Sequence, residues 1–307
     1  MKKALWAVAA AIAVYTVLVL HSDMGKVSDA AGAIHPGCIP LFLILPLANY
    51  YLRYLKWQYF LRRVKVIVPA VESLRVFIAG FSMTVSPGKM GELLKCALLK
   101  KMRGVPVETT GSVVVAERLT DLISMVLLAL AGALVTGSSL GIPASIAGTV
   151  FVASAMFFLL NRSAWNLFER VTMKIPFMRK RSHLFLGFRE AAVALLDVRS
   201  MAVSVPLGML SWGIEAMVLS VAAASMGASL PWGAALLSHA AGSVAGAVSM
   251  IPGGLGLTEI TIDGIMSGYM PEAVSTATTL LMRFATLWFS VLLGVAALAD
   301  LKRRNRD

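Results

Sequence analysis

Apolar runs of about 18 residues or more alternate with short polar and basic stretches along most of the chain, a pattern that predicts membrane-spanning helices. The first run extends from Ala4 to Leu20 behind Lys2 and Lys3. No A-x-A cleavage site follows it before His21-Ser22-Asp23, so it predicts an uncleaved span rather than a signal peptide. Further spans are predicted at about Ile39–Phe60, Thr109–Val135, Ile142–Leu160, Val203–Met226 and Ala273–Ala299. Between residues 162 and 199 the chain is basic, and Leu184, Phe185, Phe188, Ala192, Leu195 and Leu196 recur at helical spacing beside Arg189, Glu190 and Asp197. That spacing predicts a cytoplasmic amphipathic connector lying on the membrane surface.

Two hydrophobic segments, 71–103 and 233–270, are each broken near the middle by Pro and Gly. The breaks are Pro87-Gly88-Lys89-Met90-Gly91 and Pro252-Gly253-Gly254-Leu255-Gly256. Neither half is long enough to cross a hydrocarbon core of about 30 Å, so each segment is either a kinked span or a re-entrant hairpin. Charge separates the two. With hairpins there are six crossings, and Lys2/Lys3, Arg62–Lys65, Lys100–Arg103, Arg162–Arg199 and Lys302–Arg306 all fall on one side, leaving Lys26 on the other. The positive-inside rule therefore selects hairpins, with both termini cytoplasmic.

A register shift of 165 residues, from Pro87 to Pro252, also superposes Gly88 on Gly253, Gly91 on Gly256, Pro106 on Pro271 and Arg118 on Arg283. The expected fold is one all-α polytopic membrane domain over 1–307, with a first repeat at 1–135 and a second at 142–300. It has six transmembrane helices plus two oppositely oriented re-entrant helical hairpins. Inverted repeats whose broken helices meet near the midplane are characteristic of transporters. A duplicated scaffold without transport is the alternative.

Composition agrees with the pattern. The 307 residues are 58% hydrophobic and only 14% charged, which excludes a soluble enzyme, a disordered tail or a secreted disulfide scaffold. The net charge of +12 would suggest nucleic acid in a soluble protein, but here the basic residues sit between apolar runs and encode topology, so no nucleic-acid partner is expected. Cys38 and Cys96 fall on opposite sides of the membrane and point to neither a disulfide nor a metal site.

The chemistry lies where charge enters the membrane. Arg118, about nine residues or 14 Å into its helix, and Arg283, about equally deep in an opposed span, are costly there and imply a partner, a bundle interior or a water-filled cavity. Asp121 stands at i+3 from Arg118 as a local partner. Each hairpin tip begins a returning half-helix, whose free N–H groups attract anions. Gly88, Lys89, Gly91 and Glu92 form a candidate phosphate cradle at the first tip; Gly253, Gly254, Gly256 and Glu259 form its counterpart. Glu117 joins Asp121, Glu92 and Glu259 as offsetting charge, and Glu215 inside a span is a candidate counter-ion or proton carrier. Lys95 and Asp263 are lesser candidates; His239 reads as packing. Asn49, Arg53, Lys56 and Trp57 read as interfacial anchors. No metal spacing, nucleophile elbow or Walker loop is present, so neither cofactor nor catalysis is expected, and ATP hydrolysis by this chain is not.

Pro87-Gly-Lys-Met-Gly-Glu-Leu-Leu-Lys95, Gly104-Val-Pro106, Val113-Val-Val-Ala-Glu-Arg-Leu-Thr-Asp121 and Ile251-Pro-Gly-Gly-Leu-Gly256 together resemble the lysylphosphatidylglycerol synthase transmembrane family, over nearly the whole chain. The Arg53–Trp57 region resembles that family's basic-aromatic element. The resemblance implies lipid translocation of the flippase type in a bacterial cytoplasmic membrane, acting on an anionic lipid or lipid-linked envelope precursor. It also implies partnership with envelope-lipid biosynthetic enzymes. The chain ends at Asp307 without the soluble aminoacyltransferase domain of the bifunctional synthases, so lysyl transfer is not implied.

Overall fold

The computed structural model describes residues 24–86, 92–172, 174 and 182–304. The expected first span Ala4–Leu20 and the first break at 87–91, with Gly88, Lys89 and Gly91, lie outside the described residues, as do residues 305–307.

The described chain is helical, without strands. The helices in order are α1 (Met24–Gly32), α2 (Ile39–Arg63), α3 (Ala70–Gly80), α4 (Leu94–Arg103), α5 (Val107–Thr136), α6 (Ile142–Leu160), α7 (Arg162–Thr172), α8 (Ser182–Leu195), α9 (Val198–Ser225), α10 (Trp232–Val248), α11 (Leu257–Met266), α12 (Glu272–Arg283) and α13 (Phe289–Arg304). A π-helical turn, Phe284–Trp288, runs α12 into α13. Among the described residues, five stretches are long and apolar enough to cross a membrane: Pro36–Arg63, Val107–Thr136, Ile142–Leu160, Val198–Ser225 and Glu272–Arg303. They coincide with five of the expected spans.

Their outer faces are apolar. Leu134, Phe157, Phe284 and Leu292 are all more than half exposed, which an aqueous surface would not tolerate as a continuous band. Only 17% of the apolar window of α6 is buried: one side of that helix packs on α5 and α10, and the rest of its apolar surface faces outward. A strand of charge at the helix ends and an apolar exterior between them define a multi-pass membrane protein.

The two broken segments form short helices. At 1.5 Å per residue, α3 and α4 are about 15–17 Å long, α11 about 15 Å and α10 about 25 Å, each short of the bilayer core. Proline sets where several helices begin: Pro69, Pro106, Pro231 and Pro271 stand immediately before α3, α5, α10 and α12, each with an extended ψ near 140°. The ring fixes φ and leaves no N–H to be orphaned, so the chain turns into helix only after it. Between α10 and α11, Gly253, Gly254 and Gly256 take φ of 63°, 67° and 88°, values that side-chain-bearing residues rarely adopt. α10 folds back along α11 through this turn, and α3 packs on α4.

The half-helices also cross between the two halves of the chain. α10 lies against α5, while α3 lies against α13. Gly294 permits the second contact: a Cβ there would come within 2.6 Å of the Phe81 carbonyl carbon. α2 and α9, each with an internal proline (Pro46 and Pro206), pack side by side, and Asn49 donates from Nδ2 to the Ser211 carbonyl at 2.8 Å.

Among the described residues the basic connector contributes α7 and α8. The ring of Trp165 on α7 stacks on Phe188 of α8 at 6.3 Å and 17°, and Ala192, Leu195 and Leu196 are buried where α8 covers α5. The apolar stripe read from the sequence thus packs on protein; the side chains of Leu184 and Phe185 lie outside the described residues.

Asp197 caps α9. Its carboxylate accepts from the Ser200 backbone N–H at 2.8 Å and pairs with Arg63 at 2.6 Å. These interactions, Ser200 first and then Arg63, hold its carboxyl below the ordinary value of 3.8. A group depressed in the folded state stabilises above its unfolded pKa and ceases to do so as pH falls through its folded pKa. Thermal melts in detergent should therefore show Asp197→Ala below wild type at pH 7, with the gap closing as the pH drops below about 4. A gap independent of pH would remove the capping role.

Candidate functional site

Helix α5 carries the centre of the site. Glu117 and Asp121 stand four residues apart and so share a face, and Arg118 stands three before Asp121. Asp121 takes two cations: Lys56 of α2, in a close ion pair, and Arg118 at 2.9 Å. Arg118 also reaches Glu92 at 3.1 Å. Glu117 pairs with Lys95 of α4 at 2.7 Å, and Glu92 lies 3.7 Å from the same ammonium. Three cations and three carboxylates thus interlock between α2, α4 and α5.

Nearly all of this charge is out of contact with solvent and lipid. Lys56 is 1% exposed, Lys95 2%, Glu117 1%, Asp121 3% and Glu92 3%. Aromatic rings complete the wrapping: the Lys95 ammonium lies 4.3 Å from the Trp57 ring centroid and 5.2 Å from that of Phe77. Trp57 in turn donates to Ser73 of α3 at 3.2 Å. Burial at this depth is tolerable because each charge has an opposite one at hydrogen-bonding distance.

A second, smaller pair lies in the other half. Arg283, the last residue of α12, binds Glu259 through Nε at 2.6 Å and the Gly253 carbonyl through a terminal nitrogen at 2.7 Å. Glu259 also accepts from the Gly256 N–H at 2.7 Å, so its carboxylate satisfies the backbone donor at the N-cap of α11. The second tip was expected to offer its free N–H groups to an anion. The chain supplies that anion itself, because Glu259 lies three residues into the helix, where a carboxylate reaches the cap. The two arginines are related in kind: each comes from a helix that follows a proline and holds a glutamate near the start of a short helix, α4 or α11.

Between them lies a cavity of about 930 Å³. Its lining includes Glu92, Arg118, Asp121, Glu215, Gly253, Gly254 and Arg283 among the expected residues, together with His239, Arg53, Tyr50 and Trp212. The rest of the wall is largely apolar, with Phe151, Phe158, Trp165 and Phe188 at the connector. Glu117, Gly256 and Glu259 stand behind the wall rather than in it. Lys95 is part of the network; Asp263 is apart from it, taking hydroxyl hydrogen bonds from Ser275 and Thr276. His239 is 2% exposed, and its ring centroid lies 6.0 Å from that of Trp212.

The reading of Asn49, Arg53, Lys56 and Trp57 as interfacial anchors is corrected. Asn49, Lys56 and Trp57 are at most 1% exposed, and Arg53 faces the cavity. A basic-aromatic stretch looks the same in sequence whether its aromatics meet lipid headgroups or enclose a cation. The spacing of Asn49, Arg53, Lys56 and Trp57 at three and four residues was the available signal, since it puts all four on one helix face.

A bundle of short and membrane-length helices around a charged cavity is the architecture of a polytopic membrane protein. The chain belongs to the family described as the lysylphosphatidylglycerol synthase transmembrane region, which it matches over residues 5–294. It is similar to a UPF0104 membrane protein of Pyrococcus horikoshii, 26% identical over 289 residues covering 82% of this chain and 85% of the relative. A UPF0104 membrane protein of Methanothermobacter thermautotrophicus is 23% identical over 310 residues, covering 92% and 90% respectively.

Proposed function

We propose that this protein moves an anionic lipid, or a lipid-linked envelope precursor, between the leaflets of the cytoplasmic membrane. It works as a flippase-like transporter, neither hydrolysing ATP nor catalysing a covalent reaction. The observation that carries the reading is the cavity of about 930 Å³, in which arginines from both halves of the chain meet within a mostly apolar wall. Such a space suits a charged headgroup, while the acyl or prenyl chain stays in the lipid.

Transport also needs two states, and the proposed architecture provides for them. In this reading Ala4–Leu20 is the first of six crossings, both termini are cytoplasmic, and the broken segments are hairpins entering from opposite faces. The packing of α10 on α5 and of α3 on α13 supports an inverted repeat, because each first half-helix lies on the long helix of the other half. Pro106 and Pro271, in the 165-residue register, begin those long helices. Opposed units of this kind exchange conformations to alternate access. The Arg118–Glu92 and Arg283–Glu259 pairs then act as two latches, one on each returning half-helix.

Reconstitution tests the reading. In vesicles containing fluorescently labelled phosphatidylglycerol, dithionite bleaches about half the label without translocation and nearly all of it with translocation. The purified protein is expected to give the second result. An accessory subunit of an envelope-lipid enzyme would leave bleaching at the protein-free level for phospholipid and prenyl-phosphate probes alike, and that outcome would overturn the proposal.

A further inference from the structure

Helices α11 and α12 pack together along a face that carries two polar layers. On α11, Glu259 and Asp263 stand four residues apart and share that face; on α12, Ser275, Thr279 and Arg283 repeat at the same interval. The inner layer is the Arg283–Glu259 pair. The outer layer holds Asp263, whose Oδ1 accepts from the Ser275 hydroxyl and whose Oδ2 accepts from the Thr276 hydroxyl at 3.2 Å. The Ser275 hydroxyl also lies 3.1 Å from the Asp263 carbonyl, so its one proton faces two acceptors and three oxygens converge. Thr279 stands one turn inward of Ser275, between the layers. It is 2% exposed, and its Oγ1 is buried without a hydrogen-bond partner.

The inner layer has its cation and the outer layer has none. Asp263 lies in the last turn of α11, where the helix dipole is already negative. The charged group near enough to act on it is the Glu272 carboxylate, in the first turn of α12. Its partners among the described residues are hydroxyls, which carry no charge to offset its own. We infer that α11 and α12 bind a sodium ion between them, through Asp263, Ser275, Thr276 and Thr279. Every donor is an oxygen, which suits a hard cation, and one carboxylate matches a single positive charge. Asp263 is half-buried, with Gly264 and Ser267 exposed beside it, so the ion has a way in from the end of α11. Membrane transporters use the C-terminal ends of broken helices in the same manner. A bound ion ties α11 to α12 about one turn from the Arg283–Glu259 pair and so keeps that pair closed. Coupling of the ion to lipid movement rests on the function proposed above; the binding site stands or falls separately.

The test is binding of radiolabelled sodium ion to the detergent-solubilised protein at fixed ionic strength, with choline as the replacing cation. Wild type should bind the ion saturably. Asp263→Asn should weaken binding by about 10- to 100-fold, the loss of a charge-assisted contact, and Thr279→Val by about 2- to 10-fold, the loss of a neutral one. Melting separates an ion site from a hydrogen-bonded staple. The wild-type Tm should rise with sodium concentration, as for any ligand of the folded state, and that of Asp263→Asn should not. In choline, Asp263→Asn should melt at or above wild type, because it removes a carboxylate that only the ion offsets. Asp263→Asn melting below wild type by the same amount in both salts would mean a staple and overturn the site. If Asp263→Asn does not fold, Thr279→Val, which keeps the shape of threonine without its hydroxyl, carries the test. No saturable binding by wild type, unchanged affinity in the variants, or calcium displacing the label at lower concentration than sodium itself also overturns the site. Wild type that binds sodium but leaves the lipids of phosphatidylglycerol vesicles in place keeps the site and overturns translocation. Wild type that translocates without binding sodium does the reverse, and equal translocation in sodium and choline keeps both but overturns their coupling.

Discussion

Arg283→Ala should destabilise the protein by about 3–5 kcal/mol, whereas Arg118→Ala should cost about 1–3 kcal/mol, although the two arginines occupy matched positions in the chain. The difference lies in what each leaves behind. Without Arg283, Glu259 is 0% exposed and keeps only the Gly256 N–H, so a buried carboxylate loses its counter-charge. Without Arg118, Asp121 still has Lys56, and Glu92 still has Lys95 at 3.7 Å. Thermal and denaturant unfolding in one detergent would rank the two. Arg283→Met combined with Glu259→Gln should recover much of the loss, since it removes both charges and keeps most of the volume. Equal destabilisation by both single variants would mean that Lys56 and Lys95 do not support the first cluster as the geometry indicates. Arg283→Lys is informative for transport: an ammonium cannot span Glu259 and the Gly253 carbonyl with a rigid fork. The turn at Gly253 should loosen and translocation fall, at a smaller stability cost than for alanine.

Glu117→Ala should be equally severe, about 3–5 kcal/mol, because it strands Lys95 among Trp57, Phe77 and a single carboxylate at 3.7 Å. Cation–π contact of about 0.5–2 kcal/mol per ring does not replace the lost ion pair at 2.7 Å. Lys95→Met should be damaging in the same sense, leaving Glu117 at 1% exposure without its cation. The double variant Lys95→Met/Glu117→Gln discriminates an ion-pair origin from simple loss of packing. Recovery of more than half the deficit in the double variant follows from the pair; additive losses would mean that the side-chain stems, not the charges, matter. Neither residue lines the cavity, so transport per folded molecule should change less in these variants than in Arg283→Lys.

Much of the architecture could be read from the chain because the bilayer imposes a length on it. Runs such as Ile142–Leu160 are apolar over about 20 residues, and no soluble alternative requires that. The broken segments were legible for the converse reason: Pro252 and Gly253, Gly254 and Gly256 interrupt an apolar run where a span would continue. Arg118, Arg283 and Asp121 stood out because charge inside such a run demands compensation. Sequence also gave the local i+3 pairing of Arg118 with Asp121, since helix geometry alone brings those side chains together.

Partners distant in the chain were a different matter. Nothing in Asn-Tyr-Tyr-Leu-Arg-Tyr-Leu-Lys-Trp distinguishes snorkelling cations from buried ones, and Lys56 finds Asp121 only because α2 crosses α5. In a membrane helix that is apolar on every side, hydrophobic periodicity no longer marks the inward face, so packing partners leave little trace in the pattern. The sequence by itself therefore determined where the chain spans, where it breaks and which charges need a counterpart, all set by transfer out of water. Which counterpart each charge received was decided by the tertiary structure. So was the burial of Lys56, Lys95 and Arg283 in ion pairs, because it depends on how close the helices approach.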